Sequence, residues 1–116
     1  MSITKQPAYL RFLNLIDALD RMHPSKKLDS IEKGLLDKIV ASAHANQSIL
    51  VGDLISMSQL GSQATLHGRL KNLSAMGFIQ MASNLDGRKK EVLPTKLANK
   101  HYDAISRCLE KAIKVS

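Results

Sequence analysis

Between Ser62 and Thr95 the sequence carries side chains that can hydrogen-bond to bases and pair with phosphates. They are His67, Lys71 and Asn72 in a helix-like segment, and Arg88, Lys89 and Lys90 after the turn-forming stretch NLDG. Lysine and arginine neutralise phosphate groups, while amide and guanidinium groups match the edges of bases. The chemistry that these residues favour is recognition of a polyanion.

Residues for catalysis or metal binding do not form a recognisable pattern. The four histidines, His23, His44, His67 and His101, are widely spaced, and the single cysteine, Cys108, has no partner for a zinc motif. The sequence has no glycine-rich phosphate loop, and its Ser, His and Asp residues form no nucleophile motif. We therefore expect no enzyme activity, no metal and no cofactor. Packing is a better explanation for Cys108 than redox sensing.

The positive charge is concentrated in one part of the chain. The 116 residues carry a formal net charge of +7, with six Lys or Arg against two Asp or Glu from 58 to 96. From 1 to 57 the numbers are seven against six. A basic surface of this kind favours a nucleic-acid partner, although solvated basic residues selected for solubility are the alternative.

The cellular location follows from what the sequence lacks. Its first residues, MSITKQPAYL, have no apolar signal-peptide core, and no apolar run is long enough for a membrane helix. One cysteine suits a reducing compartment. We expect a soluble bacterial protein of the cytoplasm, associated with the nucleoid and not with a membrane.

Apolar periodicity and turn residues predict mostly helices with one hairpin. A capping-box pair, Asp29 and Glu32, should begin the second helix, and Gly77 should end the fourth. Thr95 should cap the last helix. The predicted elements are helix 8–22, a helix from near Asp29 to near Asn46, a short strand at Ile49-Leu50, helix 51–58, helix 62–76, strand 78–82, turn 83–88, strand 89–93 and helix 96–114.

The helix that starts at Ser62 presents two different faces. With about 3.6 residues per turn, Leu66, Leu70 and Leu73 form one apolar stripe. Small or polar residues lie elsewhere, and those that could contact DNA are Ser62, Gln63, Ala64, Thr65, His67, Gly68, Lys71 and Asn72. Glycine in a helix is unfavourable by about 1 kcal/mol relative to alanine, so Gly68 indicates close approach to another surface. A glycine tolerated without purpose is the alternative.

The predicted hairpin carries three consecutive cations, Arg88, Lys89 and Lys90. The preceding Asp86-Gly87 pair favours a tight turn. At least one cation should therefore project outward, where it could contact a phosphate backbone or a minor groove. Lysines that protect an edge strand from aggregation are the alternative.

This segment resembles the winged-helix regulators of the multiple-antibiotic-resistance (MarR) family. Asp86, Arg88, Val92 and Thr95 match the order and spacing of that family's wing, and the Gly77-Phe78-Ile79 exit is similar too. Pro94 and Ala98 depart from the usual Leu and Gly. The resemblance covers about Leu35 to Ala98 and implies that the 62–72 helix binds DNA and that Arg88 enters the minor groove.

Together these features predict a mainly α fold with a small β-hairpin wing (α+β), a winged helix-turn-helix in one domain, 1–116. Within it, residues 29–95 should form the core, and the helices at 8–22 and 96–114 could dimerise or simply cover that core. The expected function is sequence-specific binding of double-stranded DNA by a homodimeric transcriptional regulator. A small-molecule effector is compatible with the resemblance, but no residue indicates one.

Two other functions are alternatives to this one. A winged helix can also be a protein-interaction or assembly module, with its basic wing against an acidic partner. Single-stranded nucleic acid or RNA is disfavoured, because only 3% of the residues are Phe, Trp or Tyr and the basic segment offers no stacking platform.

Overall fold

The computed structural model describes residues 6–23, 27–83 and 89–114. Its elements follow the predicted order: α1 Ala8–Met22, α2 Ser30–His44, α3 Val51–Ile55, α4 Gln63–Ala75, β1 Ile79–Ser83, β2 Lys90–Pro94 and α5 Lys96–Ile113. Helices dominate, and the one described sheet is a two-stranded hairpin. This is the predicted α+β arrangement. None of the described helices has the length and apolarity to cross a membrane.

Helix α2 begins with the expected capping box. The Asp29 side chain accepts a 2.8 Å hydrogen bond from the Glu32 amide, and Glu32 Oε1 accepts one of 2.9 Å from the Asp29 amide. This pair satisfies two amides that the first turn of a helix leaves without partners. Leu35, Leu36 and Ile39 then lie on the buried side of the helix.

Helix α3 is shorter than predicted, because it ends at Ile55 and not at Ser58. The Ser56 hydroxyl donates a 2.7 Å hydrogen bond to the Gly52 carbonyl, an acceptor that a continuing helix uses. Beyond it, the Met57 amide bonds to the Leu54 carbonyl, which tightens the chain into a turn. The turn leads to Ser62, where α4 begins.

Helix α4 is one residue shorter at each end than predicted, with Ser62 and Met76 as its caps, and it has the predicted inner face. The Ser62 side chain caps it by accepting a hydrogen bond from the Thr65 amide. Leu66, Leu70 and Leu73 are each at most 1% exposed. Gly77 follows in a left-handed conformation, with φ of 85°, which a residue with a side chain seldom adopts. It turns the chain into β1.

The hairpin pairs Ile79 with Pro94 at its base and Ser83 with Lys90 at its far described end. Both strands lie one residue later than predicted. Leu50 forms an isolated bridge with Glu91, and the Val92 amide donates to the Ile49 carbonyl. The segment before α3 therefore lies beside β2, but the predicted strand at Ile49-Leu50 is reduced to this single bridge. The predicted Asp86-Gly87 turn and Arg88 lie outside the described residues.

Two compact units are distinguished. One comprises Leu28–Asn99 and contains α2, α3, α4 and the hairpin, around a core in which Phe78 is 1% exposed and Val92 is 2% exposed. The other comprises α1 and the part of α5 from Lys100 onward. There, Arg11 Nε and Nη2 donate to the Ala112 carbonyl at 2.9 and 2.7 Å, and Nη1 donates to the Gln6 carbonyl.

Candidate nucleic-acid interface

The outer face of α4 lies opposite its buried leucine stripe. Gln63, Ala64, His67, Gly68 and Lys71 are all exposed, and Thr65 is half-buried. The helix sequence, QATLHGRLKNLSA, contains no acidic residue. Its outer face therefore offers cations and small side chains with no carboxylate on the same helix to repel a phosphate.

Gly68 is the point of least bulk on this face. A Cβ built at Gly68 meets no other atom within 4 Å, apart from its own helix backbone and chain neighbours. The monomer therefore does not need a glycine there for packing. The same test at Gly34 places a Cβ 3.2 Å from Leu60 Cδ2, where α2 packs closely on the turn after α3.

The first turn of α4 is fixed by side chains. Ser62 Oγ accepts a 3.2 Å hydrogen bond from the Thr65 amide and lies 3.0 Å from Thr65 Oγ1, to which it donates. Ser62, Gln63 and Ala64 are exposed beside this cap. The end of the helix that carries the positive pole of its dipole is thus ordered and accessible to an anion.

One flank of α4 is tied to the start of α2. Asn72 Nδ2 donates a 2.5 Å hydrogen bond to Glu32 Oε2, and Arg69 Nε lies 2.8 Å from Asp29 Oδ2. The Arg69 contact is an ion pair without hydrogen-bond alignment, since the buried Nε–H has no hydrogen-bond acceptor among the described residues. From the sequence, Asn72 is grouped with the DNA-contacting side chains, Glu32 is expected only to cap α2, and Arg69 is given no role.

The wing contributes Lys89 and Lys90, which are both exposed. They line a depression together with Leu50, Val51, Gly52 and Asp53 at the start of α3. The α3 residues had not been singled out, because their proximity to the wing depends on the bridge between Leu50 and Glu91. Arg88, the third predicted wing cation, is outside the described part of the chain.

The described residues contain no group of three or more His, Cys, Asp or Glu side chains placed to hold a metal ion. Cys108 is a free, half-buried thiol. The exposed cations and amide groups can form ion pairs and hydrogen bonds with an anionic polymer, which is the chemistry that the sequence favoured.

Comparison with known proteins supports the fold. No family model matches the sequence, and no curated protein matches it. Among solved structures, a MarR protein from Peptoclostridium difficile superposes on 97% of this chain and 75% of its own, with 21% identity and a TM-score of 0.58. BpsR of Bordetella bronchiseptica, whose DNA binding is regulated by 6-hydroxynicotinic acid, superposes on 100% of this chain and 85% of its own, with 14% identity and a TM-score of 0.49. The chain therefore has a MarR-like winged-helix fold, which confirms the fold expected from the sequence.

Proposed function

We propose that this protein is a transcriptional regulator that binds duplex DNA sequence-specifically as a homodimer. Helix α4 would enter the major groove, and the basic wing would lie at the minor groove or the backbone. The observation that carries the proposal is the outer face of α4, which is exposed, free of acidic residues and open at Gly68.

The contacts are divided by chemistry. Lys71 and the wing cations Arg88, Lys89 and Lys90 would neutralise phosphates, which supplies affinity without sequence preference. Side chains of the first two turns of α4 would reach base edges; the residues are Ser62, Gln63, Ala64, Thr65 and His67. Gly68, which has no side chain, would let the helix backbone come close to the groove. Asn72 is left out of this set because its amide already donates to Glu32.

A homodimer would be formed through α1 and α5. Helix α1 has no buried residue in the described chain, and its Tyr9 and Leu13 are 66% and 41% exposed. On α5, Leu109 and Ile113 are 47% and 62% exposed. Apolar side chains left open on both helices favour burial against a second copy, and a symmetric dimer presents two recognition helices to a palindromic site.

Binding of the full chain to a random-sequence duplex across a salt series tests the proposal. For a dimer making about six to ten phosphate contacts, affinity should fall by a factor of about 10³ to 10⁵ between 50 and 200 mM salt. An acidic peptide of matched charge serves as the competitor. Absence of duplex binding at low salt, together with tight binding of the acidic peptide, would favour a protein-interaction module instead.

A further inference from the structure

Two side-chain contacts join the start of α2 to one flank of α4, the proposed recognition helix. Both contacts connect residues that are far apart in the sequence. One runs from Asn72 Nδ2 to Glu32 Oε2 at 2.5 Å, and the other from Arg69 Nε to Asp29 Oδ2 at 2.8 Å. Asp29 and Glu32 also form the capping box of α2. We name these four residues the α2–α4 clamp.

Glu32 is the central residue of the clamp. It is 4% exposed, and both of its carboxyl oxygens accept hydrogen bonds, Oε1 from the Asp29 amide and Oε2 from Asn72. A polar group at this depth is costly to bury unless its hydrogen bonds are satisfied. The capping box of α2 is complete without Asn72. The hydrogen bond from Asn72 to Glu32 therefore serves a purpose other than capping α2.

The clamp supplies what the apolar stripe of α4 lacks. Burial of leucines is non-directional and determines mainly which side of the helix faces the core. A hydrogen bond depends on distance and angle, so the Asn72–Glu32 contact restricts rotation of α4 about its own axis. A rotation of about 10° would move the tip of a side chain about 5–6 Å from that axis by about 1 Å.

Base recognition is sensitive to displacements of that size, because donors and acceptors must meet base edges at hydrogen-bond distance. Phosphate contacts by flexible lysines are more tolerant. Glu32 is buried and does not reach DNA. Asn72 lies four residues after Gly68, on the same side of α4, but its amide nitrogen donates to Glu32. The clamp therefore acts through the orientation of α4.

We propose that Glu32, Asn72, Asp29 and Arg69 are positioning residues that set the rotation of the recognition helix and so determine sequence discrimination. This inference rests on the proposed DNA-binding function and deepens it. The quantity it governs is the ratio of affinities for a preferred duplex and a random one. The four clamp residues have much less effect on the affinity for a random duplex.

The test compares Glu32→Gln with Glu32→Met in the full chain. Glutamine keeps the capping box and can hydrogen-bond to Asn72 once the Asn72 amide flips, whereas methionine fills the space and accepts neither bond. The probes are the duplex recovered with the wild-type chain from a random pool and a random duplex of equal length. Ile39→Val, at a fully buried position on α2, controls for loss of stability alone.

We expect Glu32→Met to lower the affinity ratio by about tenfold, the discrimination of one base pair, and Glu32→Gln and Ile39→Val to retain it. If Glu32→Met does not fold, Asp29→Asn is used in its place. Asparagine can still cap α2 with its oxygen, but its NH2 group would face Arg69, so the ion pair is lost. An unchanged or higher ratio in Glu32→Met would overturn the proposal, since it would mean that Asn72, once released, is neutral or itself reads a base. An unchanged ratio in Asp29→Asn would likewise overturn it, since it would mean that the Arg69 contact does not set the rotation of α4.

Failure of the proposed function gives a different result. The wild-type chain would then show no preference between the two duplexes, or no salt-sensitive binding to either. Loss of the ratio in Ile39→Val as well as in Glu32→Met, at equal loss of Tm, would also overturn the positioning role, because stability alone would then explain the effect.

Discussion

The Thr95 hydroxyl donates a 2.6 Å hydrogen bond to the carbonyl of Gly77, across the base of the hairpin. Its oxygen also accepts a 3.2 Å hydrogen bond from the Ala98 amide in the first turn of α5, and the Thr95 amide donates to the Phe78 carbonyl. One residue thus connects the exit of α4, the end of the hairpin and the start of α5.

Replacing Thr95 should measure the strength of that connection. Thr95→Val removes both side-chain hydrogen bonds at nearly constant volume and should lower the free energy of unfolding by about 1–2 kcal/mol. Thr95→Ser keeps the hydroxyl and should lose much less. The free energies of unfolding of the two variants are compared by urea denaturation. Equal midpoints would show that the Thr95 hydroxyl contributes nothing to stability.

Gly68, in the middle of α4, and Gly77, just after its C-terminal end, should respond oppositely to alanine. At Gly68 an added Cβ meets nothing within 4 Å, so Gly68→Ala should stabilise the fold by about 0.5–1 kcal/mol. At Gly77 φ is 85°, so Gly77→Ala should destabilise it by about 1–2 kcal/mol. Thermal unfolding measures whether each substitution raises or lowers the stability. A destabilised Gly68→Ala variant would show that the outer face of α4 is packed against other residues.

The gain in stability at Gly68 should be accompanied by loss of DNA binding. If the backbone of α4 approaches the groove closely at this residue, a methyl group there should weaken binding to the preferred duplex by about tenfold. Ser74→Ala, at an exposed position in the last turn of the same helix, is the matched control and should bind normally. Normal binding by Gly68→Ala would leave the glycine without a role at DNA.

Lys71 should contribute one phosphate contact per subunit. Lys71→Ala should weaken binding to every duplex and reduce the magnitude of the slope of log K against log salt by about 1 for each Lys71 at the DNA. Lys38→Ala changes the same charge on an exposed position of α2 and should leave the slope unaltered. If the slope of log K against log salt is the same for the two variants, Lys71 does not contact a phosphate.

The apolar side chains of α1 can be tested by adding a charge. Leu13→Glu should convert a dimer into monomers, because Leu13 is 41% exposed in the single chain and would be buried by a second copy. Asn14→Glu adds the same charge at the next exposed position and should leave the dimer intact. Sedimentation velocity reports the species; a monomeric wild-type chain would contradict the proposed assembly.

Local sequence signals predicted the parts of the fold that depend on local physics. Apolar spacing indicated that Leu66, Leu70 and Leu73 are buried, and residue type indicated the caps at Asp29, Ser62 and Thr95. These features involve residues within a few positions of one another, so their spacing is visible in the sequence. The positive φ of Gly77 was predictable for the same reason.

Contacts between distant segments were not predictable in this way. Asn72 was grouped with the outer face of its helix because a helical wheel shows direction but no neighbour. Its partner, Glu32, lies 40 positions away in the sequence. The early end of α3 was missed because the hydrogen bond from Ser56 to the Gly52 carbonyl competes with helix propagation in a way that composition does not show.

Part of the predicted site stays a prediction. The turn at Asp86-Gly87 and the role of Arg88 lie outside the described residues, so the wing is represented by Lys89 and Lys90. An Arg88→Ala variant is expected to weaken binding several-fold on all sequences, and Lys90→Ala, at the first residue of β2, offers a comparison. The role of Arg88 rests on its resemblance to the MarR wing.

Selection of duplexes bound by the full chain from a random pool tests the central claim most directly. We predict a two-fold symmetric consensus whose half-sites are centred about 10 base pairs apart, as two recognition helices in successive major grooves require. Recovery of unenriched sequences, or of a consensus that Gly68→Ala and Lys71→Ala bind as tightly as the wild-type chain does, would contradict the account.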